Sequence, residues 1–394
     1  MKPIQPDERY LLALLKSILH EELPPEKPET CSFEQVFVLA KRHSVANMAY
    51  YAIQKLKQKP DAALLRQWKE VYEKALVKDV IQQNELAVME QALEQRKIAF
   101  LPLKGVAMKE LYPKCDMRMM SDIDVLVAPE DTHRVYEVLL SLGYEADRVG
   151  ESNHDVYFKR PVMNVEVHHA LFDRMREQFV TYFADFFDRA QTVEGKQYQR
   201  RFSEEDFFSF LFCHLVKHYR DGGTGIRSVM DLWVYLQAKG DVLNWTVVSA
   251  ELDKLGLNAF LGHMMRLSEI WFGGEETSTL YEEMGAYVLA NGTYGTMQNK
   301  QLNAVAQYGG NADSAKLKHL FRLFFPKLTN MQMWFPTLER YPVLLPFYYI
   351  FRGLRIVFCR REKFVKISQT ITADNESLYE VRQLHEKTGL KVSE

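Results

Sequence analysis

Cysteine is scarce in this chain, and the little there is forms no pattern. Cys31, Cys115, Cys213 and Cys359, four residues in 394, lie far apart and make no C-x-x-C pair. That excludes a zinc ribbon and fits a reduced, cytoplasmic protein. An excess of one charge is also missing: 50 basic residues stand against 52 acidic, for a net charge of −2. Binding along a nucleic acid rests on many phosphate contacts, so this balance disfavours a long nucleic-acid track while leaving room for a local basic face. Long hydrophobic runs are lacking as well. The uncharged run Tyr341 to Phe351 falls well short of the roughly 20 residues needed to span a bilayer, and Arg352 and Arg355 follow it. It reads as a buried helix or a peripheral hydrophobic surface, and no transmembrane segment is expected. MKPIQPDERY has neither the basic start nor the apolar centre of a signal peptide. No low-complexity tract or short internal repeat appears.

What is present is the composition of an ordinary globular protein, 47% apolar and 26% charged. The length suggests roughly two or three domains. Residues 1–60 read as two or three short helices split by Leu23-Pro24-Pro25 and Pro28. Pro60-Asp61 starts a long amphipathic segment, with Leu64, Leu65, Trp68, Val71, Tyr72, Ala75 and Leu76 at helical spacing and the pattern continuing to Leu93. Another helix begins at Pro129 and ends at Gly143. Asp147 to Arg160 and Met163 to His168 read as a hairpin pair of strands. From Leu171 onward nearly everything reads helical, with an aromatic face of Phe179, Tyr182, Phe183, Phe186 and Phe187. The organisation expected is an N-terminal helical region (1–97), a central α+β domain (98–200) and a C-terminal helical domain (201–394).

The most informative stretch is Ile98 to Val127, IAFLPLKGVAMKELYPKCDMRMMSDIDVLV. An apolar strand leads into Lys104-Gly105, then a helical piece from Val106 to Leu111 is stopped by Pro113. A polar loop carrying Arg118 leads to Asp122-Ile123-Asp124-Val125-Leu126-Val127. Successive side chains of a strand face opposite sides, so Asp122 and Asp124 share one face while Ile123, Val125 and Val127 enter a core. Two carboxylates on one face repel unless something positive lies between them. Mg²⁺ suits the position, because it takes carboxylate oxygens and substrate phosphates together. A third acid is available from Asn164-Val165-Glu166-Val167-His168, where alternation places Glu166 and His168 on one face.

A glycine, then Asp-apolar-Asp, then a lone acid on a later strand resembles the nucleotidyltransferase (DNA polymerase β-like) superfamily. The closer resemblance is to the uncharacterised bacterial nucleotidyltransferases. It is carried by Leu103-Lys104-Gly105, Tyr112-Pro113, Arg118, Asp122 to Val127 and Val165 to His168, with weaker echoes in His214 to Leu232 and Tyr341 to Arg352. The resemblance implies a small mixed sheet with helices, flanked by helical regions. It implies metal-dependent transfer of a nucleoside monophosphate from an NTP such as ATP, with release of pyrophosphate. Asp122, Asp124 and Glu166 would be the catalytic, metal-holding acids for Mg²⁺ or Mn²⁺. Lys104, Gly105, Arg118 and His168 would meet the nucleotide. The acceptor stays open among tRNA, a protein, a small molecule and a sugar. One departure stands out: the wider superfamily usually has Gly-Gly or Gly-Ser before its acids, whereas Val106 follows Gly105 here. A non-catalytic module that binds a nucleotide or partner is the alternative.

Other features are weaker. His214 and His218 lie four apart on one helix face but form no H-E-x-x-H pattern; they are cleft-wall residues or core histidines. Arg227 and Asp231 have the spacing of a helix ion pair. The loop Asp221 to Gly225 is Gly-rich but lacks the Gly-Lys-Ser/Thr ending of a phosphate-binding loop.

Overall fold

The computed structural model describes residues 2–174, 176–293, 295–359, 370, 372 and 374–390. The fold is mixed α+β, and the chain divides into two compact units. One comprises Ile4–Leu215 with Ile226–Thr277; the other comprises Met1–Pro3, Val216–Gly225 and Ser278–Glu394.

The first unit opens with three helices, α1 (Pro6–Leu19), α2 (Phe33–Arg42) and α3 (Ala46–Lys55). The proline-rich stretch around Pro24 and Pro25 separates the first two, as their missing N–H groups and fixed φ require. The amphipathic segment forms α4, one helix over Ala62–Gln95. Its start is set by Asp61, whose carboxylate accepts the Leu64 N–H at 2.9 Å, a cap on the order of 1 kcal/mol. At its far end Met89 and Leu93 pack on the sheet.

The sheet has five strands in the order β1-β2-β5-β4-β3. They are β1 (Phe100–Pro102), β2 (Ile123–Val127), β3 (Glu145–Arg148), β4 (His154–Lys159) and β5 (Met163–His168). Strands β2 and β5 run parallel and the other pairs antiparallel. The stretch expected as a single strand over Asp147 to Arg160 is two strands, so the hairpin is the second half of a three-stranded meander. Gly150 at φ +73° lies in the break between them.

One sheet face buries Ile123, Val125, Val127, Val165 and Val167 against Met89 and Leu93 of α4 and against Val135, Val138 and Leu139 of α6 (Thr132–Ser141). Each such side chain contributes roughly 1.5–3 kcal/mol by leaving water. This alternation fixes the register, because a slip of one residue would drive Asp124 and Glu166 into that core. Val106, the residue after Gly105 in the short helix α5 (Lys104–Lys109), also packs against it. The position where the wider superfamily carries a hydroxyl is therefore turned toward apolar neighbours.

Beyond the sheet, the helical expectation from Leu171 needs correction. Helix α7 covers only Glu177–Tyr182, and a two-stranded hairpin pairs Gln191–Thr192 with Arg200–Arg201. The aromatic residues pack as a compact cluster instead, with Phe172 and Phe183 ring centroids 4.9 Å apart and Phe183 and Phe186 4.4 Å apart. Helix α8 (Glu204–Arg220) begins where Ser203 accepts the Asp206 N–H at 3.1 Å, and α9 (Ile226–Lys239) follows the glycine-rich loop.

In the second unit that loop is a packed turn: Gly222 accepts the Thr296 N–H at 2.9 Å and the Asp221 carbonyl accepts from Asn303 at 2.8 Å. Tyr219 and Tyr287 pack together within the same core. The run from Tyr341 lies at the surface, with Val343, Phe347, Ile350 and Phe351 all exposed, so it is a peripheral hydrophobic surface and not a buried helix. Among the described residues no helix is long and apolar enough to cross a membrane.

Candidate active site

The sheet face opposite the core carries the acids. Asp122 immediately precedes β2, Asp124 lies within it, and Glu166 stands directly beside Asp124 in the parallel ladder to β5. Neighbouring strands lie about 4.8 Å apart, so same-face side chains at paired positions converge. Carboxylate oxygens of Asp122, Asp124 and Glu166 all lie within 4.8 Å of one another.

Lys104 reaches the same cluster because β1 runs beside β2. The Leu103 N–H donates to the Asp124 carbonyl at 2.8 Å, which sets the next residue against the Asp124 side chain. The Lys104 Nζ lies 3.7 Å from Asp124 Oδ2 and 2.6 Å from His214 Nε2. His168 Nε2 lies 3.1 Å from Asp124 Oδ1, on the other oxygen. His154, opposite His168 in β4, places its Nε2 3.5 Å from Glu166 Oε2.

These neighbours split the acids electrostatically. Burial by itself would raise the Asp124 carboxyl, but the Lys104 charge and the His168 hydrogen bond outweigh it and hold Asp124 well below the usual carboxylate range. Asp122 is pushed up by burial and then by the charge of Asp124. Glu166 is pushed up by burial and then by Asp122 and Asp124. The Lys104 side chain keeps 21% of its surface accessible, yet the protein packed around it pulls its ammonium down, against the opposing pull of Asp124 and Asp122.

Gly105 and Arg118 occupy a different setting. Arg118 is 4% exposed and grips Asp231 with two nitrogens, Nε to Oδ1 at 2.7 Å and Nη2 to Oδ2 at 2.8 Å. Its remaining terminal nitrogen donates to the Gly105 carbonyl at 3.2 Å. Tyr112 completes the arrangement, its hydroxyl donating to Asp231 Oδ1 at 2.7 Å. Asp231 is thus not paired along its helix with Arg227, which donates instead to the Met119 carbonyl at 3.0 Å. A side chain on Gly105 would bring its Cβ to 2.8 Å from Met120 Sδ, so the glycine lets the loop pass close to the turn.

Two residues near the acids escaped sequence reading. Lys78 donates to the Ser121 carbonyl at 3.2 Å and, like Arg227, acts electrostatically with Asp122. His154 is the second. Its signal was available: counting back across the β4–β5 turn pairs it with His168. His214 meets Lys104, while His218 belongs to the second unit.

Chemically, three carboxylates with only oxygen donors match what hard dications prefer. Burial and then mutual crowding raise Asp122 and Glu166, and a dication would relieve the crowding. The residues therefore fit Mg²⁺ or Mn²⁺. A model of the family described as "Uncharacterised nucleotidyltransferase" matches residues 31–273, and the chain belongs to that family. No curated protein and no solved structure matches it.

Proposed function

We propose that this member of the uncharacterised nucleotidyltransferases moves a nucleoside monophosphate from an NTP to an acceptor hydroxyl or amine, using a divalent cation held by Asp122, Asp124 and Glu166. The observation that carries the reading is the convergence of those three carboxylates from directly paired, parallel strands inside the matched stretch. Bound Mg²⁺ or Mn²⁺ would neutralise the triphosphate and stabilise the charge that develops on the reacting phosphoryl group. In the displacement the acceptor atom forms a bond to the α-phosphorus, the bond from that phosphorus to the bridging oxygen breaks, and pyrophosphate leaves.

The chain's own groups divide the remaining work. Glu166, paired with Asp124 across the β2–β5 ladder, takes the proton from the attacking group. Asp124 stays ionised throughout, because Lys104 and His168 stabilise its charge. The Lys104 ammonium, at the edge of the acid cluster, meets the incoming phosphates. Arg118 acts through the Gly105 carbonyl, keeping the turn in shape beneath the nucleotide; a direct phosphate contact would require it to leave Asp231. His168 orients Asp124, and its contact with the nucleotide runs through that acid.

Calorimetry of ATP into wild type and Lys104→Ala, each with Mg²⁺ and with chelator, tests the binding half. Affinity should depend on Mg²⁺ and fall about tenfold in the variant, roughly 1.4 kcal/mol. Equal affinity with and without metal would break the scheme. Incubation with labelled NTPs and cell extract tests the chemistry and reveals the acceptor by where the label goes. Metal-dependent binding with no pyrophosphate released from any NTP would favour the non-catalytic alternative.

A further inference from the structure

The sheet face that gathers the acids also gathers two imidazoles. His154 and His168 are directly opposite each other in the β4–β5 ladder, with ring centroids 5.0 Å apart. Glu166 precedes His168 by two residues and so shares its face. Ligand atoms of His154, Glu166 and His168 all lie within 4.8 Å of one another. His154 Nε2 and His168 Nε2 stand 3.5 and 3.7 Å from the same oxygen, Glu166 Oε2.

The tautomer of His154 follows from its neighbour. The Asn153 amide nitrogen donates to the Ala170 carbonyl at 2.9 Å, which fixes which way the amide points. Its oxygen therefore faces His154 Nδ1, at 3.3 Å. An oxygen there takes a proton from Nδ1, so in the neutral ring Nε2 presents a lone pair. That nitrogen stands 3.5 Å from Glu166 Oε2, so the ring and the carboxylate bring ligand atoms close enough to share one cation. An imidazole whose outer nitrogen is held by an amide or carbonyl oxygen is also how metal-bound histidines are usually oriented.

We propose that His154, Glu166 and His168 form a second metal position beside the all-carboxylate one, sharing Glu166 with it and selecting a first-row transition-metal dication over Mg²⁺. Two nitrogens and one oxygen suit Co²⁺, Ni²⁺ or Zn²⁺, whereas Mg²⁺ prefers oxygen donors throughout. Occupation of this position draws His168 Nε2 away from Asp124 Oδ1, leaving that oxygen to the neighbouring ion. The inference concerns binding alone and does not rest on nucleotidyl transfer.

Co²⁺ is the probe, because imidazole ligation gives it a visible absorption band. The full-length chain is titrated with Co²⁺ and separately with Mg²⁺, as wild type, His154→Ala, His168→Ala and Asp122→Asn, with circular dichroism confirming that each is folded. Wild type should bind Co²⁺ at least about tenfold more tightly than Mg²⁺. His154→Ala should lose at least about tenfold in Co²⁺ affinity while Mg²⁺ affinity stays within about twofold, and Asp122→Asn should show the reverse. His168→Ala gives the same answer for Co²⁺ if the first variant does not fold. Unchanged Co²⁺ affinity in a folded histidine variant, or displacement of Co²⁺ by equimolar Mg²⁺, overturns the proposal. Pyrophosphate release is measured separately, so a protein that binds Co²⁺ as described but transfers nothing sinks only the proposed reaction.

Discussion

Asp231 and Asp124 are both buried carboxylates with cationic neighbours, one on a helix and one on a strand, 5% and 9% exposed. Around Asp231 every contact is short and directional: two Arg118 nitrogens at 2.7 and 2.8 Å and the Tyr112 hydroxyl at 2.7 Å. Around Asp124 the contacts are looser, with Lys104 Nζ at 3.7 Å and His168 Nε2 at 3.1 Å. A guanidinium fork is pre-organised for a carboxylate and keeps its charge at any ordinary pH, so it makes a fixed joint. An ammonium and an imidazole can be displaced. Neither burial nor a charged partner separates the acid proposed to hold metal from a structural one here. The separating features are a replaceable partner and further acids crowding the same face, and only Asp124 has both.

The largest effect should come from breaking the fixed joint. Asp231→Ala leaves Arg118 buried without its partner, which should cost about 3–5 kcal/mol of folding stability, read from the denaturant midpoint. A loss under about 1 kcal/mol would mean that the two acids are not different in kind.

Next comes Asp124→Asn, which should lower turnover on the order of 100- to 1,000-fold, or about 3–4 kcal/mol of barrier. Its cost in stability without metal should be far smaller, about 1 kcal/mol. The sign is fixed by linkage: a carboxyl held below its ordinary value contributes stability above that value and loses it as pH falls through the folded one. Removing Asp124 therefore destabilises slightly, despite the acids beside it. Steady-state rates together with melting in chelator would show both halves.

The smallest effect has the opposite sign. Asp122 and Glu166 are held above their ordinary values of 3.8 and 4.5. Their contribution is fully present below those values and is lost as pH rises through the raised ones. In chelator, Asp122→Asn and Glu166→Gln should gain up to roughly 1 kcal/mol at neutral pH and show a flatter stability-versus-pH curve above pH 4. Saturating Mg²⁺ should erase the gain. Melting curves from pH 4 to 7 check this, and variants less stable than wild type throughout would contradict the crowding.

Much of this was legible in the sequence because it depends on period-2 alternation. Ile123, Val125 and Val127 against Asp122 and Asp124, and Val165 and Val167 against Glu166, assign two strand faces from residue order alone. Helix α4 was equally plain, with Asp61 to start it and an apolar stripe to hold it. Partners distant in sequence were not legible. Arg118 finds Asp231 across 113 positions, and no local pattern says which of two cations an acid will choose. The aromatic stretch after Leu171 misled for a related reason: Phe172, Phe183 and Phe186 gather from turns and a short helix, and a cluster of rings imitates helical spacing.

The ladder that sets Asp124 beside Glu166 also has a kinetic consequence. His168 and Asp124 meet across 44 positions of chain, and the parallel pairing of β2 with β5 closes a loop that contains α6, β3 and β4. Closing such a loop costs entropy before any contact repays it. No shorter segment of chain gathers the three acids, so the unfolded ensemble has almost nothing with which to chelate. A dication added to refolding protein should accordingly leave the early steps untouched and slow unfolding, since it binds only once the crossover has closed. At a free concentration one hundred times its dissociation constant it would add about 2.7 kcal/mol to the native state. The ion would then serve as a clock for closure of the β2–β5 pair.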